Sequence, residues 1–231
     1  MIGILGGMGP AATVDLMAKL ARLTAVEREQ DQPPIVVVSD PRVPDRVAPI
    51  LEGRGASPLP HMLAGVRRLE RAGASCIAIP CHTAHYWYDQ LAAATALPVL
   101  SMVDAVLAEL ARRAGPQGPL GLLATAATLH AQLYQPRLEA AGYRCVIPDR
   151  ATMAELVLPA IRLVKLGRAG EAAPLICRAV ETLRARGAGL TILACTELPL
   201  AWAAAGDPPA DCLDATEALA RHVVTWYRER S

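Results

Sequence analysis

Phenylalanine is absent from the 231-residue sequence, and lysine occurs only at Lys19 and Lys165. A pyridoxal phosphate enzyme needs a lysine for its Schiff base, so only two positions could supply one. Net charge is also nearly absent, because 23 basic side chains are balanced by 22 acidic ones. Without a field of one sign, neither a nonspecific nucleic-acid binder nor a membrane-surface protein is expected.

The sequence has no uninterrupted apolar run of roughly 20 residues, which is the length a membrane-spanning helix requires. No basic segment precedes an apolar one at its start, so we expect a cytoplasmic protein with no membrane or nucleic-acid partner. Apolar residues make up 53% of the chain against 19% charged, which is enough to bury a core. Without a secretory signal, the six cysteines are expected to be reduced thiols.

Short apolar runs alternate with longer helical stretches along the chain, a pattern typical of parallel strands joined by crossover helices. The pattern therefore predicts an α/β fold. Helix starts are predicted at Pro10, at Ser101 with Asp104, and at Asp214 with Glu217. The predicted strands are Ile2 to Leu5, Ile35 to Ser39, Cys76 to Ile79, Pro98 to Leu100, Leu120 to Ala124, Arg144 to Ile147 and Leu190 to Ala194.

The two halves of the sequence resemble each other. A shift of 114 positions lays Cys81 on Cys195 and Gly73 on Gly187. The same shift lays Val66 on Val180, Leu69 on Leu183 and Ala74 on Ala188, and a shift of 118 lays Gly3-Ile4-Leu5 on Gly121-Leu122-Leu123. This partial repeat predicts two similar half-proteins and not a solenoid.

Cys81 and Cys195 each lie just past the end of a predicted strand, where open parallel sheets bind ligands. If the halves face each other about a pseudo-two-fold axis, the two thiols meet across one cleft. Inverting a carbon centre needs one acid/base group on each face. A thiol, with a reference pKa of about 8.5, can fill either part, provided that donors and cations stabilise the developing carbanion.

Four segments together carry a family resemblance: Met1 to Pro10 (MIGILGGMGP), Pro44-Asp45-Arg46, Pro80 to His85 (PCHTAH) and Cys195 to Leu198 (CTEL). They resemble the aspartate/glutamate racemase family, particularly its aspartate racemase branch. The resemblance implies a PLP-independent racemase of aspartate or glutamate that needs no cofactor and forms a homodimer. It implies two similar Rossmann-like α/β domains with parallel sheets, related by a pseudo-two-fold axis, and an active site in the cleft between them.

The resemblance also implies domain limits and site residues. Residues 1–100 plus 208–231 would form a first domain carrying Cys81, and residues 101–207 a second carrying Cys195. By position, the family pattern makes these cysteines the two catalytic bases and pairs Arg46 with a substrate carboxylate, for which a planar guanidinium is suited. Further substrate-binding positions are Met8, Thr83, Thr125, Thr128, Lys165, Thr196 and Glu197, and no metal is implied. For Glu197, capping the following helix is an equal alternative.

One position departs from the family pattern. The family usually carries asparagine directly after the first cysteine, where this chain has His82. Histidine is larger than asparagine, can be charged below its reference pKa of about 6.5, and could then lower the pKa of Cys81. We therefore predict that His82 binds substrate and alters or broadens the substrate preference.

Other interpretations of these motifs stay open at this point. Cys81, His82 and His85 could bind zinc, although adjacent residues rarely both ligate one ion. Gly7, Gly9 and Ala12 fit a relaxed dinucleotide fingerprint, but Pro10 interrupts that loop, and a milder interpretation is that N–H groups at the helix start bind a substrate carboxylate.

Different function classes also stay open. The chain could be another isomerase, or a decarboxylase, of a small dicarboxylate on the same scaffold, or a noncatalytic small-molecule-binding protein. Cys81 and Cys195 could be buried core residues, and Arg46 and Lys165 solvated surface cations. His85 is expected to be a packed or hydrogen-bonded ring. Inert thiols are expected at Cys76, Cys145, Cys177 and Cys212, and helix packing at Tyr86, Trp87 and Tyr88.

Overall fold

The computed structural model describes residues 1–113, 118–206 and 211–230. They form two compact units: the first unit is Met1–Ala105 with the described residues from Thr216 onward, and the second unit is Val106–Ala215. The domain limits expected from the sequence, 1–100 plus 208–231 and 101–207, stay a prediction. Residues 114–117, 207–210 and 231 within those limits lie outside the described residues.

The first unit is built on a sheet of four parallel strands in the order β2-β1-β3-β4. The strands are β1 (Ile2–Gly6), β2 (Ile35–Ser39), β3 (Cys76–Ala78) and β4 (Val99–Leu100). In the central strand β1, Ile2 aligns with Ile35 on one side and with Cys76 on the other. All of β1 is buried, as a continuous apolar run in a parallel sheet requires.

The second unit repeats this topology with the order β6-β5-β7-β8. Its strands are β5 (Leu120–Ala124), β6 (Cys145–Val146), β7 (Leu190–Ala194) and β8 (Cys212–Asp214), again all parallel. The α/β prediction is therefore confirmed, with two similar parallel sheets. β8 is the strand that the sequence analysis missed, because its three residues, Cys-Leu-Asp, form no β-branched apolar run.

The predicted helix starts agree with the structure. Pro10 is the first residue of its helix, Ser101 Oγ accepts the N–H groups of Val103 and Asp104 at 3.2 Å each, and another helix begins directly after Asp214. Within the described residues no helix has both the length and the apolar character needed to cross a membrane. The helices are α1 (Pro10–Leu23), α2 (Val47–Leu51), α3 (Leu59–Arg71), α4 (Tyr88–Ala93), α5 (Met102–Arg112), α6 (Ala126–His130), α7 (Gln135–Ala140), α8 (Arg150–Thr152), α9 (Leu158–Lys165), α10 (Ala169–Ala185), α11 (Glu197–Ala203) and α12 (Ala215–Arg228).

The repeated glycines end equivalent helices in the same way. Gly73 follows α3 with φ +83° and Gly187 follows α10 with φ +92°, the left-handed conformation that glycine adopts without strain. The next residue then turns back onto its helix: the N–H of Ala74 donates to Leu69, and that of Ala188 to Leu183, each at 3.0 Å. The sequence repeat is thus a repeat of local structure.

Each unit has its own hydrophobic core, and each candidate cysteine belongs to one. Cys81 packs in the core of the first unit together with Met8 and Ile79, and Cys195 packs in the core of the second with Leu198 and neighbouring apolar residues. Burying one aliphatic side chain contributes about 1.5–3 kcal/mol, so the backbone at both cysteines is anchored by packing.

Candidate active site

Cys81 follows β3 after only two intervening residues, at the carboxyl end of the strand. Its N–H donates to the carbonyl of Ile79 at 2.8 Å, which makes a tight turn, and the residue is 5% exposed. Ligands of open parallel sheets bind at this end of the strands. The turn therefore places Cys81 at the end of the sheet where such ligands bind.

His85 holds the backbone of Cys81. Its Nδ1 lies 2.8 Å from the carbonyl oxygen of Cys81, and its Nε2 accepts the N–H of Met102, the first residue of α5, at 3.0 Å. The ring is buried and stacks on Tyr88 with 5.9 Å between centroids. Burial lowers the pKa of His85 despite the carbonyl contact. The packed, hydrogen-bonded ring expected from the sequence is confirmed, and both of its nitrogens are occupied.

His82 is a neutral imidazole at neutral pH. The residue is 3% exposed, and desolvation, with a smaller effect of nearby His85, holds its pKa well below the ordinary value of 6.5. The hypothesis from the sequence that a cationic His82 lowers the pKa of Cys81 is therefore wrong at neutral pH. The difference arises because the sequence did not show how completely the ring is buried.

Arg46 contacts the glycine-rich loop through the backbone of Met8. Its Nη2 donates to the Met8 carbonyl at 3.1 Å, and its Nη1 donates to the Pro44 carbonyl at 3.1 Å. The neighbouring carboxylate of Asp45 accepts the first N–H groups of α2, those of Val47 and Ala48, at 2.9 Å each. Within the described residues Arg46 Nε is buried without a hydrogen-bond partner. The Nη2 group of this half-buried guanidinium has a second hydrogen, besides the one donated to Met8, that can be donated to an anion.

The glycine-rich loop itself is closed by Thr13. The N–H of Gly7 donates to Thr13 Oγ1 at 2.9 Å, so this group is not available to a phosphate or carboxylate. Gly7 has φ +90°, and a Cβ there would lie 2.4 Å from the backbone nitrogen of Asp40. The loop therefore needs glycine for close backbone packing, which weakens the dinucleotide interpretation. Met8, also in this loop, is 3% exposed.

Cys195 occupies the equivalent position in the second unit, directly after β7. Its Sγ donates to Glu197 Oε2 at 3.0 Å, and Thr196 Oγ1 donates to the same oxygen at 3.3 Å. All three residues are buried. Burial first, and then the charge and hydrogen bond of Glu197, raise the pKa of Cys195 well above its ordinary value. Cys195 is therefore held as a thiol and can act as an acid.

Lys165 is the cation that influences Cys195. It is exposed at the end of α9, and its charge lowers the pKa of Cys195, which opposes the larger effects of burial and Glu197. Within the described residues it forms no ion pair. A five-residue π-helical segment, Met153–Val157, precedes α9, and Leu158 closes it by donating its N–H to Met153. Pro159 has no N–H to donate, which explains this wide turn.

Two threonines follow β5, the strand next to β7 in the sheet. Thr125 caps α6, where its Oγ1 accepts the N–H of Thr128 at 3.1 Å and donates to the Thr128 hydroxyl at 2.9 Å. In the first unit, Thr83 begins the 3₁₀-helical turn Thr83–Trp87 and is buried. The hydroxyl positions named from the sequence therefore lie after strands β3, β5 and β7.

The structure gathers the predicted site residues at the carboxyl ends of neighbouring strands within each unit. In the first unit these are Met8, Arg46, Cys81, His82 and Thr83; in the second they are Thr125, Thr128, Cys195, Thr196 and Glu197, whereas Lys165 lies at the end of α9. Sequence reasoning missed the part of Thr13 in closing the loop. A threonine hydroxyl six residues after a loop glycine gave no distinctive signal.

The other thiols are in protonated form at neutral pH. Burial raises the pKa of Cys76 to about 11 and that of Cys212 to about 12, and it also raises the pKa of Cys145 and Cys177. The described residues contain no cluster of three or more side chains suited to a metal ion. For the zinc interpretation, His85 in particular lacks a nitrogen to offer.

Nearby aromatic residues are divided between packing and the surface. Trp87 is buried, Tyr88 donates its hydroxyl hydrogen to the Val99 carbonyl at 2.8 Å, and Tyr86 is 48% exposed with an edge contact to Trp87. Trp87 and Tyr88 thus connect the segment after Cys81 to β4 and the core.

Comparison with known proteins identifies first the class of protein that shares this fold and then the family to which the chain belongs. Structures with the same fold include aspartate and glutamate racemases. A profile of the family described as Asp/Glu/Hydantoin racemase matches residues 5–223. The chain belongs to the Asp/Glu/hydantoin racemase family. The resemblance inferred from the sequence motifs is confirmed, and with it an enzyme of the racemase class.

Individual relatives differ in how much they share with this chain. Aspartate racemase from Picrophilus torridus has a TM-score of 0.84 and 31% identity over 97% of this chain and 93% of its own. An aspartate racemase homologue from Pyrococcus horikoshii has a TM-score of 0.75 and 24% identity over 98% of each chain, which is a likeness of fold. The broad specificity amino-acid racemase RacX of Bacillus subtilis is 27% identical over 64% of this chain. The match covers 65% of RacX, slightly less than two thirds of its length.

Proposed function

We propose that this protein is a PLP-independent racemase of aspartate or glutamate that works by two-base proton exchange through Cys81 and Cys195. The observation that carries the proposal is the duplicated placement of these residues. Each follows the equivalent strand, β3 or β7, of two sheets that share one topology. A reaction that exchanges protons on opposite faces of one carbon needs such a pair.

We propose that the two sulfurs start in different protonation states. Cys195 starts as a thiol, since Glu197 accepts its hydrogen and a second negative charge beside that carboxylate is costly. In the corresponding direction, the Cys81 thiolate removes the α-proton and the Cys195 thiol delivers its own to the opposite face. Cys81 is then a thiol and Cys195 a thiolate, and one proton must return between them before the next turnover.

The cations favour a substrate with two carboxylates. Arg46 has a second Nη2 hydrogen for one carboxylate, and Lys165 supplies positive charge on the Cys195 side. Positive charge beside the α-carboxylate also stabilises the developing carbanion, which a thiolate alone is too weak a base to generate. We propose that Met8, Thr83, Thr125, Thr128 and Thr196 complete the substrate contacts.

His82 is proposed to set the substrate preference as a neutral, bulky side chain. Because it is buried, His82→Asn changes volume and hydrogen bonding without removing a charge at neutral pH. We expect that substitution to change the ratio of activities on aspartate, glutamate and neutral amino acids by about tenfold or more. A ratio unchanged within error would show that His82 does not set the substrate preference.

Proton exchange in heavy water tests the proposed function. L-Asp and L-Glu are incubated separately without added cofactor, and NMR follows the α-proton while chiral chromatography follows the enantiomers. Two bases predict that deuterium first enters the newly formed enantiomer, since the proton removed from substrate stays on the first thiol. Early deuterium in unconverted substrate would instead indicate a single base. Cys81→Ser and Cys195→Ser are each expected to lower racemisation by more than about a hundredfold.

The same experiment separates the alternatives. Tight binding of these amino acids with no α-proton exchange would favour a noncatalytic binding protein. Turnover of a dicarboxylate without enantiomer interconversion would favour another isomerase or a decarboxylase. We also propose a homodimer, which sedimentation equilibrium of the full chain tests directly.

A further inference from the structure

The carbonyl of each candidate cysteine is fixed by a donor four or fewer residues ahead, but the donors differ. In the second unit the backbone N–H of Leu198 donates to the Cys195 carbonyl at 2.9 Å. In the first unit it is the side chain of His85 that reaches the Cys81 carbonyl, at 2.8 Å. The 114-position repeat lays His85 on Pro199, which has no side-chain donor, so the repeat does not reproduce this contact in the second unit.

The contacts of His85 define its tautomer. The backbone N–H of Met102 donates to Nε2, which must therefore carry a lone pair. The ring hydrogen then lies on Nδ1 and is donated to the Cys81 carbonyl. The titratable or charged groups that act on this ring are His82 and Asp104, and the neutral His82 adds no positive charge at neutral pH.

The ring is also held in orientation. Tyr88 stacks on it with 8° between the ring planes, and the Tyr88 hydroxyl is bonded to the Val99 carbonyl of β4. His85 thus links the turn after β3 to the start of α5, and Tyr88, which packs against its ring, is bonded to β4. These three contacts, with the Cys81 carbonyl, the Met102 N–H and the Tyr88 ring, hold His85 in one orientation, so that His85 can in turn hold the peptide group of Cys81.

We propose that His85 is a positioning residue for Cys81, holding the cysteine carbonyl through Nδ1–H and thereby fixing where the sulfur lies. This inference rests on the proposed function, in which Cys81 exchanges the α-proton. A displacement of about 1 Å at a reacting group can lower a rate by about a hundredfold, so one such bond matters kinetically.

Two substitutions of His85, by asparagine and by glutamine, test the two hydrogen bonds of the ring one at a time. In His85→Asn the amide nitrogen lies one bond beyond Cγ, as Nδ1 does, and can still donate to the Cys81 carbonyl. In His85→Gln the amide reaches the position of Nε2 and can accept from Met102, but the donor to Cys81 is lost. We expect kcat of the Asn variant to stay within about threefold of wild type, and kcat of the Gln variant to fall about ten- to a hundredfold with KM changed much less.

A second readout does not depend on turnover. The rate of Cys81 alkylation by iodoacetamide, measured against pH by peptide mass spectrometry, should change in the Gln variant and be restored in the Asn variant. Alkylation of Cys195 in the same sample serves as the internal reference, and thermal unfolding shows whether each variant is folded. Equal kcat and equal Cys81 alkylation in both variants, or changes that follow only the melting temperature, would overturn the proposal. If wild type shows no racemisation, the proposed function fails while the alkylation comparison still decides the positioning of Cys81.

Discussion

Replacing Glu197 by glutamine should make Cys195 ionise more readily. The substitution keeps the shape of the side chain and an oxygen that can accept from Sγ, but it removes the negative charge 3.0 Å from the sulfur. That charge and its hydrogen bond are the second and third causes that raise the pKa of Cys195, after burial. The expected direction is therefore a lower pKa for Cys195.

The size of the effect is bounded on both sides. Two like charges 3.0 Å apart repel by on the order of 5 kcal/mol at an effective dielectric constant of about 20, which is an upper limit. A hydrogen bond to a charged acceptor contributes about 1 kcal/mol more than one to a neutral acceptor, which sets the lower limit. Since about 1.4 kcal/mol is tenfold, the lower limit predicts that the Cys195 thiolate fraction at a fixed pH rises by about fivefold or more. Burial remains, so the thiol stays the main form at neutral pH.

The assay is the pH dependence of Cys195 alkylation, followed at the peptide level. Glu155→Gln is the matched control, because Glu155 is an exposed glutamate of the same unit in the π-helical segment. Faster alkylation in Glu197→Gln, with the control unchanged, is expected. An unchanged profile in Glu197→Gln would show that the carboxylate does not hold Cys195 as a thiol, and the assignment of starting states would be wrong.

Three further predictions concern substrate binding and stability. Arg46→Gln should raise KM for aspartate by about tenfold or more, because a charge-assisted bond of about 1.5–3 kcal/mol is lost; steady-state kinetics check this, and an unchanged KM would contradict it. Hydrogen bonds from Arg112, then Arg113, lower the pKa of Glu109 to about 2, so its stabilisation of about 1–2 kcal/mol is present above the unfolded pKa of about 4.3 and lost as pH falls towards 2. The melting temperature of Glu109→Gln, plotted against pH, should therefore fall less steeply than that of wild type as pH decreases over that range. Parallel plots for the two proteins would argue against the ion pair. Gly3→Ala should destabilise more than Gly121→Ala in denaturant unfolding, because the added Cβ would lie 2.7 Å from an immovable backbone oxygen in one case and 2.7 Å from a rotatable threonine hydroxyl in the other.

Most of the sheet framework could be predicted from sequence because its strands are mostly apolar, and β1, β5 and β7 are buried along their whole length. Such strands read as continuous apolar runs, and β2, β5 and β7 were placed with the bounds that the structure shows. The three-residue strand β8 could not be predicted, since it is held by pairing with β7 and not by its own composition. Its position depends on contacts between residues far apart in the chain.

The sequence indicated candidate residues for the site but not their electrostatics. The position of Cys195 after a strand could be read from the sequence, whereas the partner of Glu197 could not. The sequence allows that carboxylate to cap a helix or to bind substrate, and in the structure it makes a third contact, with the thiol two residues before it. Similarly, the sequence indicated a bonded His85 but not its partner Met102, which is 17 residues away.

The duplicated halves explain why the two thiols need not be chemically alike. The repeat gives them equivalent places after equivalent strands, yet it lays Thr83 on Glu197 and His85 on Pro199. Accordingly, Glu197 contacts the sulfur of Cys195, whereas His85 contacts the carbonyl of Cys81. Enantiomers have equal free energies in water, so a racemase must have the same kcat/KM in both directions whatever the state of its bases. The asymmetry between the halves can change kcat and KM only together, which makes separate kcat values for L- and D-aspartate the measurement in which it would be seen.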